Sequence, residues 1–179
     1  MKSSRWEISN FLTKQECDAL IDFSEQNQFE VAQLNTPSGL GFNLNYRNND
    51  KFTFEDKKLA ENLWLKIETD ERLNIVPGWK PIGLNERFRI YKYSKNQYFA
   101  LHLDGSFERI PFVEQSWITL LIYLNENFVG GETSFQDGIT IPKTGLASFM
   151  TQHNYLHEAL EVKTGIKYVL RSDIMFRNL

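Results

Sequence analysis

The second half of the chain alternates short runs of β-branched and aromatic residues with turn residues, and this pattern restricts the fold more than any other feature. From Leu84 onward these runs predict six strands. They cover residues 87–93, 99–103, 117–124, 132–136, 145–151 and 167–176. Turn residues separate them, including Asp104-Gly105 and Gly130-Gly131. Because no helical pattern lies between the strands, a doubly wound parallel sheet is excluded.

Helical signals are confined to the first half of the chain. Thr13 and Glu16 have the spacing of a capping box, and the apolar residues that follow recur at helical spacing. We therefore expect a first helix of about four turns here. A second amphipathic helix is predicted over residues 53–68. Residues 35–51 are rich in Asn and Gly, which predicts a loop that can hold short strands.

Together these elements predict a mainly β (α+β) fold, a double-stranded β-helix or jelly roll with N-terminal packing helices. A length of 179 residues fits one domain. We expect that domain to span residues 1–179, with a helical N-terminal part over about 1–83 and the jelly-roll core over about 84–179.

Composition narrows the compartment and the partners. A single cysteine, Cys17, excludes an internal disulfide or a thiolate metal cluster, and agrees with the cytoplasm. The longest apolar run, 117–124, is too short to cross a membrane, and Glu7 interrupts any export signal at the start. With 20 basic and 23 acidic residues, the chain lacks the positive charge of a nucleic-acid binder. We expect no membrane and no nucleic-acid partner.

A metal site must therefore use histidines and carboxylates. His102 and Asp104 alternate at the end of a predicted strand, so both side chains can face one ion, and His157 can supply a third ligand. Two imidazoles and one carboxylate with open positions are the donor set of non-haem Fe(II) oxygenases. Taken alone, however, His102 and Asp104 also fit a strand end followed by an Asp-Gly turn.

The last predicted strand carries two cations on one face. Lys167 and Arg171 share it with Val169 and Asp173, while the opposite face is mostly apolar. A cation buried inside a barrel requires either a carboxylate partner or an anionic ligand. The alternative is a half-exposed strand whose charged face meets solvent.

At this point four motifs, in order along residues 85–177, resemble those of the 2-oxoglutarate and Fe(II)-dependent dioxygenases, in the prolyl 4-hydroxylase-like branch. The motifs are Tyr93-Ser94-Lys95-Asn96-Gln97 leading to His102-Leu103-Asp104, the strand from Thr119 to Asn125, Gly130-Gly131-Glu132-Thr133, and His157-Glu158 followed by Gly165-Ile166-Lys167. The resemblance implies that His102, Asp104 and His157 bind Fe(II) and form the catalytic centre. It also implies that Lys167 holds the distal carboxylate of 2-oxoglutarate, with Tyr93 and Thr119 bonded to the same group.

Two further residues compete for these roles. Arg171 is a rival for the co-substrate carboxylate, and we expect it either to complete an internal ion pair or to face the substrate entrance. His153 lies four residues too early to replace His157, so we interpret it as a supporting histidine. Phe99 stands where many prolyl hydroxylases carry a tyrosine, which weakens the case for a prolyl substrate.

The resemblance implies an oxygenase that consumes dioxygen and 2-oxoglutarate, hydroxylates a C–H bond, and releases succinate and CO2. Ascorbate is expected to serve as a reductant. A protein or peptide side chain is the leading substrate, and a small molecule is the alternative. Residues 106–115 are predicted to form a substrate lid. Two other classes stay open: a jelly-roll module that binds without turnover, and a hydrolytic Zn(II) centre.

Overall fold

The computed structural model describes residues 4–36 and 39–179. These residues form two α-helices, one 3-10 helix and seventeen strands. The helices are α1 (Lys14–Glu25), α2 (Lys57–Leu65) and the 3-10 helix (Glu71–Leu73). The strands are β1 (Arg5–Ile8), β2 (Glu30–Val31), β3 (Leu34–Thr36), β4 (Gly39–Gly41), β5 (Asp50–Glu55), β6 (Trp79–Leu84), β7 (Arg87–Tyr93), β8 (Phe99–His102), β9 (Glu108–Ile110), β10 (Glu114–Tyr123), β11 (Val129–Gly130), β12 (Thr133–Phe135), β13 (Gly138–Thr140), β14 (Ala147–Thr151), β15 (His157–Ala159), β16 (Val162–Thr164) and β17 (Lys167–Asn178).

Two antiparallel sheets make up most of the fold. The major sheet has nine strands in the order β1-β14-β10-β17-β7-β5-β2, with β6 also beside β17 and β9 beside β10. The minor sheet has four strands in the order β13-β12-β15-β8. Two short pairs, β11 with β16 and β3 with β4, complete the described strands.

The major sheet separates two hydrophobic cores. The outer core joins one face of this sheet to the helices, through residues such as Cys17, Leu63 and Phe88. The inner core lies between the two sheets and includes Tyr123 and Phe135. Because successive residues of a strand point to opposite faces, each central strand contributes to both cores.

Strand β17 shows this alternation along its length. Tyr168, Leu170, Ile174 and Phe176 pack into the outer core, as the sequence pattern predicted. Val169 belongs to the inner core. Lys167 and its neighbours at every second position therefore face the minor sheet, which places them in the space where the candidate site lies.

The first predicted helix is confirmed as α1. The Thr13 hydroxyl accepts a hydrogen bond from the Glu16 amide, and the Glu16 carboxylate accepts one from the Thr13 amide. This reciprocal pair satisfies two amides that a helix start leaves free. The predicted start of the second helix is wrong, because α2 begins at Lys57 after the N-cap Asp56, and residues 53–55 belong to β5.

The physical reason is the alternation of Phe52 and Phe54 on one face of β5. Their rings stack with centroids 5.6 Å apart, and Phe54 stacks on Phe88 of the neighbouring β7 at 5.5 Å. A period of two suits a strand and would place these rings on different sides of a helix. Tertiary packing against β7 thus decides the conformation of this segment.

The N-terminal part is less helical than expected. Strands β1, β5 and β6 all begin before residue 84 and pair within the major sheet. The predicted loop over 35–51 contains the short strand β4 and the ends of β3 and β5, while its residues 37–38 lie outside the described residues. The major sheet therefore contains strands from both parts of the chain.

Among the described residues, no helix combines the length and apolar character that a membrane crossing requires.

Candidate metal centre and co-substrate cavity

Two histidines from neighbouring strands of the minor sheet lie beside one carboxylate. His102 ends β8 and is paired with His157, which begins β15. Asp104 follows two residues after β8. The His102 Nε2 lies 3.8 Å from Asp104 Oδ1, and the His157 Nε2 lies 3.7 Å from Asp104 Oδ2. One donor atom from each residue falls within 4.8 Å of the others, so a single ion can contact all three.

The second nitrogen of each imidazole faces a backbone carbonyl. His102 Nδ1 lies 2.8 Å from the Ala100 carbonyl oxygen, and His157 Nδ1 lies 3.2 Å from that of Tyr155. A carbonyl can only accept a hydrogen bond, so each Nδ1 carries the proton. The Nε2 lone pairs are therefore free and directed toward Asp104, which is the tautomer that metal binding requires.

Burial sets the charge of these ligands. It lowers the pKa of His102 to about 3, helped by the neighbouring His157, and it also lowers the pKa of His157. Burial alone would raise the pKa of Asp104, but the Arg171 guanidinium, the two imidazoles and the Thr119 hydrogen bond together outweigh it and hold that pKa well below its usual range. At neutral pH the site thus offers two neutral imidazoles and one carboxylate, the donor set of a non-haem Fe(II) centre.

Several contacts hold Asp104 in place. The Thr119 hydroxyl donates to Asp104 Oδ2 at 2.8 Å, and Arg171 Nη1 lies 3.0 Å from Oδ1. The His153 amide donates to the Asp104 backbone carbonyl at 2.9 Å. With both carboxylate oxygens and the backbone engaged, the orientation of this ligand is fixed before any ion binds.

These contacts continue into a buried polar network. Gln152 Nε2 donates to the Thr119 hydroxyl at 3.1 Å and to Asp173 Oδ1 at 2.9 Å. Gln152 Oε1 accepts from the Ser116 hydroxyl at 2.9 Å. Asp173 in turn lies 3.5 Å from the Arg171 guanidinium. The network connects the Asp104 carboxylate to the central strands β10 and β17, so the major sheet determines the position of this carboxylate.

Lys167 is a buried cation of a different kind. Its side chain is 1% exposed, and its ammonium donates to the Gly131 carbonyl at 2.6 Å. The rings of Tyr93 and Tyr123 lie 5.1 and 5.6 Å away, within the range of cation–π attraction. No carboxylate forms an ion pair with it among the described residues. Burial lowers the pKa of Lys167 to about 7, with the more distant Glu132 acting in the opposite direction.

The metal-ligand set and Lys167 line one cavity between the sheets. Its walls are Tyr91, Tyr93, Phe99, His102, Asp104, Leu121, Tyr123, Thr133, His157, Ala159, Lys167, Val169 and Arg171. The cavity thus contains a metal-ligand set and a cation without an anionic partner, and a dicarboxylate can engage both.

The Gly-Gly segment of the third motif has a structural role at this cavity. Gly131 has φ +68°, and a Cβ there would lie 2.8 Å from a Val162 methyl and 3.3 Å from the Lys167 side chain. Its carbonyl is the acceptor for the Lys167 ammonium. A side chain at this position would displace the lysine that the carbonyl holds.

The structure brings most of the predicted site residues together. His102, Asp104, His157, Lys167, Tyr93 and Arg171 all line the cavity. Thr119 does not, and its hydroxyl contacts Asp104 instead, so its predicted bond to 2-oxoglutarate stays a prediction. Arg171 completes the internal ion pair that was one of its two expected roles. His153 is exposed, and its Nε2 accepts from the Ser106 amide at 3.2 Å, which agrees with a supporting role.

Sequence reasoning missed several residues near the site. Tyr91 lies two residues before Tyr93 on β7, so both side chains face the cavity. Tyr123 of β10 pairs with Val169, which shares a face of β17 with Lys167. Period-two alternation would have indicated both tyrosines. Gln152 and Arg47 carried no such signal, because the former follows a strand end and the latter lies in an irregular segment. The predicted lid over 106–115 is partly regular, since it contains β9, which pairs with β10.

No protein-family model matches the chain. A curated relative, prolyl 4-hydroxylase 13 of Arabidopsis thaliana, is 28% identical over 131 residues, which are 72% of this chain. The chain spans about half the length of that relative, 46%.

Solved structures resemble the chain over almost its whole length. A viral collagen prolyl hydroxylase of Paramecium bursaria Chlorella virus-1, in complex with 2-oxoglutarate, has a TM-score of 0.66 and 24% identity, covering 96% of this chain and 95% of that chain. A Pseudomonas putida prolyl-4-hydroxylase has a TM-score of 0.71 and 14% identity, covering 97% and 93%. A 2OG-Fe(II) oxygenase family protein of Burkholderia pseudomallei has a TM-score of 0.57 and 13% identity, covering 97% and 84%.

The fold is therefore the double-stranded β-helix of the 2-oxoglutarate and Fe(II)-dependent oxygenases, and the predicted jelly roll is confirmed. The curated relative and two of these structures are prolyl hydroxylases, the branch that the sequence motifs resemble.

Proposed function

We propose that this chain is an Fe(II)- and 2-oxoglutarate-dependent dioxygenase that hydroxylates a C–H bond, with a peptide or protein side chain as the leading substrate and succinate and CO2 as co-products. One observation carries the proposal. A 2-His-1-carboxylate set and a buried lysine without a carboxylate partner line the same cavity. Such a lysine is costly to bury alone, so a bound dicarboxylate explains its presence.

The roles of the residues follow from their contacts. His102, Asp104 and His157 would hold Fe(II), and Lys167 would pair with the distal carboxylate of 2-oxoglutarate. Bound iron supplies the oxidation chemistry, in which one atom of dioxygen enters the substrate and the other enters succinate. The protein keeps the imidazoles neutral, fixes Asp104 through Thr119 and Arg171, and excludes water from the Lys167 end of the cavity.

The assignment of a prolyl substrate rests on similarity alone, and the contact that Phe99 makes weakens it. The Phe99 ring stacks on His102 with centroids 3.6 Å apart, so this position supports a metal ligand and offers no hydroxyl to a substrate. A small molecule is therefore the second candidate substrate. Phe107 lines the groove outside the cavity, which supports contact between segment 106–115 and the substrate. A cytoplasmic location agrees with the single buried thiol of Cys17.

The test combines co-product and product analysis. Purified protein with Fe(II), 2-oxoglutarate and ascorbate is incubated with proline-containing peptides and with a small-molecule extract. We expect succinate above the level of protein-free controls and a mass gain of one oxygen in one substrate pool. Iron that binds stoichiometrically without any succinate in either pool would support the non-catalytic module instead.

A matched pair of histidine variants controls this experiment. His157→Asn removes a buried ligand, and His153→Asn makes the same chemical change at an exposed histidine whose φ of 67° suits asparagine. We expect the first variant to lose iron binding and succinate formation and the second to keep both. Equal losses in the two variants would contradict the assignment of the centre to His157.

A further inference from the structure

A groove rich in arginine opens beside the metal centre. We name it the arginine groove. Its charged lining consists of Arg47, Lys51, Arg87, Arg89, Arg171, Asp104 and Asp173. It shares His102, Asp104 and Arg171 with the co-substrate cavity. A ligand in this groove would therefore lie against the metal centre, where the oxidised substrate must bind.

The positive charges of the groove are poorly neutralised. Lys51 is paired with Glu30 at 3.2 Å, outside the lining. Asp173 lies 3.6 Å from Arg89 and 3.5 Å from Arg171, and Arg171 also pairs with Asp104 at 3.0 Å. The other lining carboxylate is Asp104, which belongs to the metal-ligand set. The groove consequently has an excess of cations over the acids available to them.

Strand pairing makes this arrangement unfavourable without a ligand. Arg89 of β7 and Arg171 of β17 are direct cross-strand partners in the major sheet. Like charges at such positions repel each other. A protein can retain this pair when an anion, from the protein or from a ligand, lies between the two guanidiniums. Asp173 supplies part of that compensation, and its carboxylate is also engaged by Gln152.

Among the residues that the structure describes, three buried guanidinium nitrogens have no hydrogen-bond partner. They are Nη2 of Arg47, Nη1 of Arg89 and Nε of Arg171. Buried polar hydrogens of this kind are normally satisfied, and the exceptions need an explanation. All three arginines line the same groove, so one anion there can accept from more than one of them.

Arg47 is fixed in the position that such an anion requires. The residue is 7% exposed, its Nε donates to Asn49 Oδ1 at 2.9 Å, and its Nη1 donates to the Gln33 carbonyl at 3.2 Å. Its guanidinium lies 4.8 Å from the Tyr91 ring and 4.3 Å from the Phe99 ring. No described carboxylate is paired with it. A side chain held this way loses little conformational freedom when it binds a ligand.

The pKa of the Tyr91 hydroxyl is affected by the positive charges of the same three arginines. Burial would raise its pKa, but the guanidiniums of Arg171, Arg47 and Arg89 together lower it to about 7.

We propose that Arg47 and Arg89, beside the ion pair of Arg171 with Asp104, bind a carboxylate group of the substrate, so that the preferred substrate is an acid. This inference rests on the proposed function, because it names the substrate class for the same centre. The planar guanidinium matches a carboxylate in a two-point contact, which a neutral proline-rich peptide does not offer. The carboxylate has two candidate sources, an acidic side chain next to the oxidised residue of a peptide or the carboxylate of a small acid.

Binding measurements with matched probes test the proposal independently of turnover. The first pair is acetyl-Ala-Pro-Glu-Ala amide and the same peptide with Gln in place of Glu. The second pair is N-acetylproline and N-acetylprolinamide. Affinities are measured by calorimetry on the full chain loaded with Fe(II) and 2-oxoglutarate without oxygen. We expect the acid of at least one pair to bind about tenfold more tightly than its neutral counterpart, as one charge-assisted contact provides.

Three variants locate the effect. Arg47→Gln and Arg89→Gln should each reduce the acid preference to about twofold or less, while Lys58→Gln, an exposed charge on α2 outside the groove, should leave it unchanged. Retained iron affinity shows that a variant is folded, and Arg89→Gln keeps the test valid if the more buried Arg47→Gln does not fold. A preference in the peptide pair assigns a peptide acid, and one in the N-acetylproline pair alone assigns a small acid.

Two results would overturn the proposal: equal affinities within both pairs, or an acid preference that survives both arginine variants. Neither result depends on catalysis. Acid-selective binding without succinate formation would refute the oxygenase function and keep the anion site, whereas succinate formation without acid preference would do the reverse.

Discussion

The two cations of β17 lie four residues apart on one face of the same strand, yet their surroundings differ completely. Arg171 is surrounded by Asp104, Asp173 and the Tyr91 hydroxyl. Lys167 meets a carbonyl and two aromatic rings. The Arg171 end is compensated by the protein itself, and the Lys167 end is left for a ligand. The comparison teaches that burial of a charge indicates a binding site only when the protein provides too little counter-charge.

Removing Arg171 should have the largest effect on folding. Arg171→Met leaves Asp104 buried without its cation, and loss of one partner of a buried pair costs about 3 to 5 kcal/mol. We expect the free energy of unfolding of the metal-free protein to fall by that amount, measured by urea denaturation with tryptophan fluorescence. An unchanged denaturation midpoint would show that Asp104 does not depend on this ion pair.

The same substitution at Lys167 should not lower the stability of the metal-free protein. Lys167→Met removes a buried charge that has no carboxylate partner, so the metal-free protein should be as stable as the parent or more stable. Its affinity for 2-oxoglutarate should fall about 100-fold, the upper range for a hydrogen bond to a charged group. Calorimetry with Mn(II) in place of Fe(II) measures this loss.

Iron affinity serves as the control, since Lys167 contacts none of the three ligands. A variant that loses stability as Arg171→Met does would show that the two cations are equivalent, and the comparison would fail.

The protonation of Lys167 gives a third way to distinguish Lys167 from Arg171. In the free protein its pKa is lowered to about 7 by burial, from an ordinary value of 10.5. Only the ammonium pairs with a carboxylate, so binding of 2-oxoglutarate above pH 7 must take up a proton. We expect the affinity to fall about tenfold from pH 6.5 to pH 8. Calorimetry in buffers of different ionisation enthalpy counts the proton directly.

The same shift affects stability with a defined sign. Below pH 7 Lys167 is charged in both the folded and unfolded states, and its burial penalty is fully present. Between pH 7 and about 10 the folded state releases the proton that the unfolded state keeps, so this contribution to stability improves as pH rises. The stability difference between the parent and Lys167→Met should shrink over that window. A constant difference would contradict the lowered pKa.

The smallest effect is the loss of Fe(II) affinity that we expect on substitution of Thr119. Thr119→Val keeps the shape of the side chain and removes the hydroxyl that donates to Asp104 Oδ2. Outer contacts of this kind contribute about tenfold or more to metal affinity, and we expect a loss at the lower end for Fe(II). Thr53→Val on β5, outside the cavity, is the matched control. If the affinity for 2-oxoglutarate fell while that for iron stayed constant, Thr119 would act on the co-substrate as the sequence motif implied.

The strands that build the site were predictable because their signals are local. Residues 87–93 coincide with β7, and the alternation along β17 correctly separated an apolar face from a charged one. The start of α2 was not predictable in this way. Helical spacing extends back through Thr53, and only the stacking of Phe52 and Phe54 against β7 makes that segment a strand.

By itself the sequence determined the chemistry available to this protein: three histidines, a carboxylate two residues after the first of them, and a lysine and an arginine on one strand face. Period-two alternation determines which of these side chains share a strand face, because it depends only on the backbone. The tertiary structure decided which of these groups meet. Strand pairing placed His157 opposite His102, and sheet packing gave Arg171 its carboxylates and Lys167 none. Those contacts join residues far apart in the chain, and no local pattern encodes the distance between them.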